Sequence, residues 1–201
     1  VGDVLMRRRH RDVADHRMLA IVARLGAGCV ACAADGALGI DDQPRRALRA
    51  RGAAPYAEIA GCGAAHSPAS RESWIDGGLN MDLDEGFQFA MENALDDAGL
   101  TPSDIDAILP HASGIPAMDK GEVGALRAVF GARLAEIPLI TLTPHVGDCL
   151  AGNGGLALGV AAMCLREQKL PARLHAGNPP AGMQAGPARS RPANLRTILV
   201  A

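Results

Sequence analysis

Aromatic side chains are scarce in this chain, with one Trp, one Tyr and three Phe among 201 residues. Hydrophobic residues still make up 48%, ample for a packed core. Core volume must therefore come from Ala, Val, Leu, Ile and Met, and 24 Gly allow backbones to approach closely. One-sided charge is also missing. The formal net charge is -2, and the basic run Arg7 to Arg11 reads as a solvated terminus, so nucleic acid is not an expected partner. Met18 to Val30 is apolar but too short, and too broken by Arg24, to span a bilayer. With no signal-peptide cleavage pattern either, the sequence predicts a cytoplasmic protein with no membrane partner. Its five cysteines are an odd number in apolar surroundings, which implies no disulfide framework. The lone pair Cys29 and Cys32 has neither a second pair nor a His pair at ligand spacing, so no metal site is expected and the thiols read as buried and reduced.

Short apolar runs alternate with longer helical patterns after the first thirty or so residues, the signature of α/β architecture. Ala37–Ile40 and Tyr56–Gly61 read as strands, Pro44–Arg51 as a short helix, and residues 63–83 as a long surface loop. Phe87, Ala90, Met91, Ala94, Leu95 and Ala98 recur at helical spacing, with Gly99 as a stop. Thr101-Pro-Ser-Asp104 marks a helical turn, and Pro138–Thr143 is a continuous β-type run expected to be a buried strand. From Asp148 onward, the segment to Leu165 is apolar all round, so a helix there should be buried on every side.

The segment His111-Ala-Ser-Gly-Ile-Pro-Ala-Met-Asp-Lys-Gly-Glu122 follows the apolar run Ile105–Pro110 and precedes the amphipathic segment Val123–Phe130. A histidine thus falls where a strand ends and a helix is about to begin, where α/β proteins gather reactive groups. Asp119 and Glu122 either support the site or cap the following helix, and the capping role is at least as strong for Asp119.

This segment resembles the first histidine motif of β-ketoacyl-acyl carrier protein synthases, His-Gly-Thr-Gly-Thr-Pro followed by an Asp and a Glu. Three further stretches, Arg49–Gly63, Ala94–Asp106 and Leu165–Pro171, resemble that family's segments in the same order. The resemblance covers about residues 34–201 and implies the C-terminal half of a thiolase-like layered αβαβα fold. Residues 1–33 are left as an unmatched segment. The expected domain is incomplete, stopping before the family's closing Gly-rich loop, as in a truncated gene product or fragment. By the same resemblance His111 is catalytic, Ser113 and Pro116 bind substrate, and Asp119, Glu122 and Asp148 are possible site support. No cofactor is implied beyond substrates carried on the phosphopantetheine of acyl carrier protein. The expected partners are that carrier and a second subunit, in a homodimer or a ketosynthase heterodimer.

Ketosynthases condense malonyl and acyl units using a cysteine thiolate and two histidines. The family's second histidine falls at Asp148 and its lysine at Thr143 when Gly147 is set on the family's glycine. A carboxylate at position 148 would repel an enolate. His145 lies three residues earlier and reads as an ordinary loop or core histidine or as a compensating group. The family's nucleophile lies well over a hundred residues before the first histidine, whereas Ala31-Cys32-Ala33-Ala34 precedes His111 by only 79 (111 - 32). The resemblance therefore supports three readings: a condensing enzyme, a non-catalytic partner resembling chain-length factors, or an inactive fragment. Activity of this chain alone is not expected.

Overall fold

The computed structural model describes residues 18–24 (backbone), 50, 56–65, 83–149, 152–174 and 177–201. The strand expected at Ala37–Ile40, nearly all of the helix at Pro44–Arg51, Cys29, Cys32 and the basic run lie outside the described residues.

Four strands form the main sheet: β1 (Met18–Arg24), β2 (Glu58–Ala65), β3 (Ala107–Leu109) and β6 (Thr197–Val200), in the order β2-β1-β6-β3. β1 runs antiparallel to both neighbours, and β3 runs parallel to β6. Residues 18–24, given no place in the fold by sequence, thus hold an inner position. A register shift between Val22 and Ala23 leaves Ala60 of β2 unpaired as a bulge. A two-stranded ribbon, β4 (Lys169–Leu170) with β5 (Arg191–Pro192), forms a separate sheet.

β3 and β6 are buried on both faces. Ile108 and Leu199 join a core with α1 (Leu83–Ala98) and α2 (Pro116–Phe130), whereas Ala107, Leu109, Ile198 and Val200 join a second core with α4 (Asn153–Glu167). Strand alternation thus feeds two helix layers from one sheet. α1 buries Phe87, Ala90, Met91, Ala94 and Leu95, as its spacing predicts. It ends at Gly99 (φ 63), where the Leu100 N–H reaches back to the Leu95 carbonyl at 3.0 Å. Beneath it β2 is glycine: a Cβ on Gly61 would fall 2.5 Å from the Ala98 nitrogen, and one on Gly63 would overlap the Ala90 carbonyl. Helix and strand meet backbone to backbone.

Three expectations need correction. β2 runs to Ala65, into the stretch expected to be loop, and α1 begins at Leu83. Pro138–Thr143 is not a strand: Leu139 bridges Ile108 and Pro138 bridges Gln184, and Thr143 already opens the short helix α3 (Thr143–Val146). Ile108 donates to the Pro138 carbonyl at 3.1 Å and accepts from Ile140 at 2.8 Å. The next donor on β3 would be Pro110, which has no N–H, so the ladder stops. Finally, α4 is buried on one side only. Ala157, Ala161, Ala162, Cys164 and Leu165 are covered, but Leu156 and Met163 are 39% and 44% exposed. Among the described residues one sheet packs on this helix and nothing covers its outer side, which is why an apolar helix surfaces.

The end of α4 is tied to β6 by Gln168 (φ 51), whose amide group donates to the Leu165 and Leu195 carbonyls and accepts from the Leu195 N–H. Asp106 receives the Arg196 and Thr197 N–H groups at 2.7 and 3.0 Å, starting β3 and β6 together. The parallel pair therefore ends together, with Leu109 opposite Val200. His111 leaves the sheet at that edge.

Candidate active site

His111 emerges two residues beyond β3, on a loop that closes at Pro116, the first residue of α2. Pro116 has its φ pre-set for a helix and needs no amide partner there. It is exposed, and α2 begins seven residues before the amphipathic stretch Val123–Phe130. Asp119 and Glu122 are therefore inside a helix rather than in front of one, and both reach back to the loop. Glu122 accepts the His111 N–H at 2.6 Å and the Ala112 N–H at 2.9 Å, one on each carboxyl oxygen. Asp119 accepts the Ser113 hydroxyl at 2.9 Å and the Gly114 N–H at 3.2 Å, and the Ser113 oxygen accepts the Ile115 N–H at 3.1 Å. Of the five successive backbone donors from His111 to Ile115, four are thus satisfied by three side chains of the motif.

These bonds hold an uncommon backbone. Ala112 has φ 45, the left-handed region that a residue with a Cβ enters at a cost, and Gly114 has φ 81. The His111 carbonyl is held as well, by the Thr143 hydroxyl at 2.8 Å. The imidazole is half-buried and makes no hydrogen bond with the described residues. Fixed backbone and unengaged ring together suit a group that donates or accepts one proton or hydrogen bond toward a ligand.

Glu122 is 4% exposed. Burial pushes its carboxyl up from 4.5 to about 7; the Ala112 and His111 N–H groups oppose this, and the nearby Asp119 charge adds to it.

The structure brings together His111, Ser113, Asp119 and Glu122 and adds Thr143, whose contact has no signal in the spacing of the motif. Asp148 is exposed on the loop after α3 and accepts from the Asn153 amide at 2.9 Å; Asn153 in turn accepts the Cys149 N–H at 3.0 Å. His145 is exposed on α3. Among the described residues no group of three or more His, Cys, Asp or Glu could hold a metal ion, and no helix is long and apolar enough to cross a membrane. Of the described cysteines, Cys164 is buried, with its thiol raised to about 11 by burial, and Cys62 is half-buried and also raised by burial. Cys149 is exposed, contrary to the expectation of buried thiols.

Comparison with known proteins bears on this geometry. The sequence model of the family described as beta-ketoacyl synthase, C-terminal domain, matches residues 56–177, which include the whole His111 loop. The 3-oxoacyl-[acyl-carrier-protein] synthase 2 of Staphylococcus aureus is 30% identical over 131 residues, 65% of this chain and 31% of the relative. The granaticin polyketide putative beta-ketoacyl synthase 2 of Streptomyces violaceoruber is 37% identical over 83 residues, 41% of this chain and 20% of the relative. The chain thus spans about a third of the first of these and a fifth of the second. Among solved structures, a type II PKS acyl-carrier protein in complex with its ketosynthase matches with TM-score 0.59 and 19% identity, covering 77% of this chain and 37% of the other. The ishigamide ketosynthase/chain length factor matches with TM-score 0.58 and 23% identity, covering 76% and 36%. These two show a shared thiolase-like fold.

Proposed function

Since the chain belongs to the β-ketoacyl synthase family, through that family's C-terminal domain, we propose that it is part of a 3-oxoacyl-acyl carrier protein synthase of fatty acid or polyketide biosynthesis. Residues 34–201, with the strand Met18–Arg24, constitute the C-terminal half of the fold, and the nucleophilic cysteine belongs to the other half. In this reading the His111 ring donates a hydrogen bond to the thioester oxygen of a malonyl unit. Loss of carbon dioxide leaves its bonding electron pair on the α-carbon as an enolate, which attacks an acyl thioester and expels the cysteine thiolate. Ser113 and Pro116 line the approach of the substrate, and Asp119 and Glu122 hold the loop. Acyl carrier protein delivers both substrates on its phosphopantetheine, no separate cofactor takes part, and the protein works in the cytoplasm as a homodimer or paired with a ketosynthase.

The observation that carries this reading is the braced His111 loop: the Glu122 carboxylate and the Thr143 hydroxyl fix the histidine backbone, Asp119 holds Ser113 and Gly114, and the ring makes no hydrogen bond with the described residues. A second reading, a non-catalytic partner like a chain-length factor, is favoured by Thr143 and Asp148 standing where the family has lysine and histidine.

Mass spectrometry after incubation with an acyl carrier donor tests the division of labour. The 201-residue chain should form no acyl-enzyme, and stoichiometric acylation lost in Cys32→Ser would make Cys32 the nucleophile instead. In a form joined to the cysteine-bearing half, His111→Ala should abolish malonyl decarboxylation and spare acyl loading. Asp148→His should raise condensation in an enzyme and change nothing in a structural partner.

A further inference from the structure

Thr143 lies 32 residues from His111 in sequence, yet its hydroxyl donates to the His111 carbonyl at 2.8 Å. Resting on the assignment of His111 as the reacting histidine, we propose that Thr143 is a positioning residue for it, closing a clamp whose other jaw is Glu122.

The two jaws come from different elements. Glu122, on the second turn of α2, takes the N–H of His111 and that of Ala112; Thr143, the first residue of α3, takes the carbonyl between them. The polar atoms on both sides of the His111 Cα are thereby held from opposite directions, which fixes the point from which the imidazole projects. Rotation of the 111–112 peptide, which would relax the left-handed Ala112, must break two bonds at once, from the Ala112 N–H to Glu122 and from the Thr143 hydroxyl to the His111 carbonyl. The Thr143 bond opposes that relaxation. It also couples the His111 loop to the chain leading through α3 to Gly147 (φ 77) and Asp148, so both sides of the candidate site share one bonded frame.

Proximity alone does not produce this contact. The hydroxyl of nearby Thr141 is buried and has no hydrogen-bond partner, whereas that of Thr143 is directed to a single carbonyl. Thr141→Val therefore provides a control of the same chemistry at a site without the bond.

The test uses the full 201-residue chain and two measurements that need no turnover: peptide-resolved hydrogen exchange over residues 110–115, and the rate at which diethyl pyrocarbonate modifies His111, read by mass spectrometry. Thr143→Val should speed exchange at His111 and Ala112 about fivefold, the change expected for loss of one hydrogen bond, and should raise the modification rate of the ring. Thr143→Ser, which keeps the hydroxyl, should restore both, and Thr141→Val should alter neither. Should Thr143→Val fail to fold, Thr143→Ala carries the same expectation. Protection unchanged in the Val and Ala variants, or not regained with Ser, overturns the clamp. Failure of His111→Ala to affect decarboxylation would remove the catalytic assignment while leaving these measurements to decide the clamp.

Discussion

Two groups of glycines in this chain do opposite things. Gly61 and Gly63 lie under α1, where an added Cβ would strike the backbone of Ala90, Ala94 or Ala98; Gly154, Gly155 and Gly159 lie on α4, where an added Cβ would meet none of the described residues within 4 Å. One side of the sheet is closed to backbone contact and the far side of the other helix layer is open. Small residues mark close approach only where something approaches. The α1–β2 seam is complete within this chain, whereas α4 turns Leu156 and Met163 outward. That open face is what one sheet alone can offer a helix suited to lie between two.

Substitutions can sharpen that contrast. The largest effect is expected at the seam. Gly63→Ala sets a Cβ against helix backbone, which cannot rotate aside as a side chain could, and should destabilise the chain by about 3 kcal/mol in denaturant melts. A change under half of that would mean α1 can lift off β2 without loss.

Glu122 comes next, because it is the buried charge of the closed side. Its folded pKa is raised, to about 7 from 4.5, so between those values the folded chain keeps a proton the unfolded chain has released. The stability this contributes is complete below about 4.5 and is lost as pH rises toward 7, a fall on the order of 3 kcal/mol. The difference between wild type and Glu122→Gln, followed in melts from pH 4.5 to 8, should carry that slope. A flat difference would place Glu122 in a better solvated setting.

The smallest effect is at the open face. Gly159→Ala relieves the entropic cost of a mid-helix glycine and meets no neighbour, so it should stabilise this chain by about 1 kcal/mol. Destabilisation instead would show that the outer side of α4 is already covered in solution, by a second copy or by residues outside those described.

Much of the site was legible because it is local. The strand, the histidine, Pro116 and the acids at 119 and 122 fall within one loop and two helical turns, and the bonds of Glu122 to His111 and Ala112 span only 11 and 10 residues. Even so, one of the two roles open to the acids in the sequence is to cap a helix ahead of them. The helix start was misplaced because Ile115-Pro116 begins α2 through proline geometry and not through an apolar period.

By itself, the sequence determined the period-3.6 face of α1, its stop at Gly99, the turn at Thr101–Asp104 and a histidine at a strand's end, each of which depends on neighbours a few residues away. Only the tertiary structure decided that Met18–Arg24 enters the sheet, that the run at Pro138 meets β3 through one bridge because Pro110 faces it without an N–H, that α4 is covered on one side, and that Thr143 reaches the His111 carbonyl. Those outcomes depend on which distant segment supplies the missing donor, the missing surface or the missing strand. Local composition constrains what a residue can do, and long-range contact selects which of those things it does.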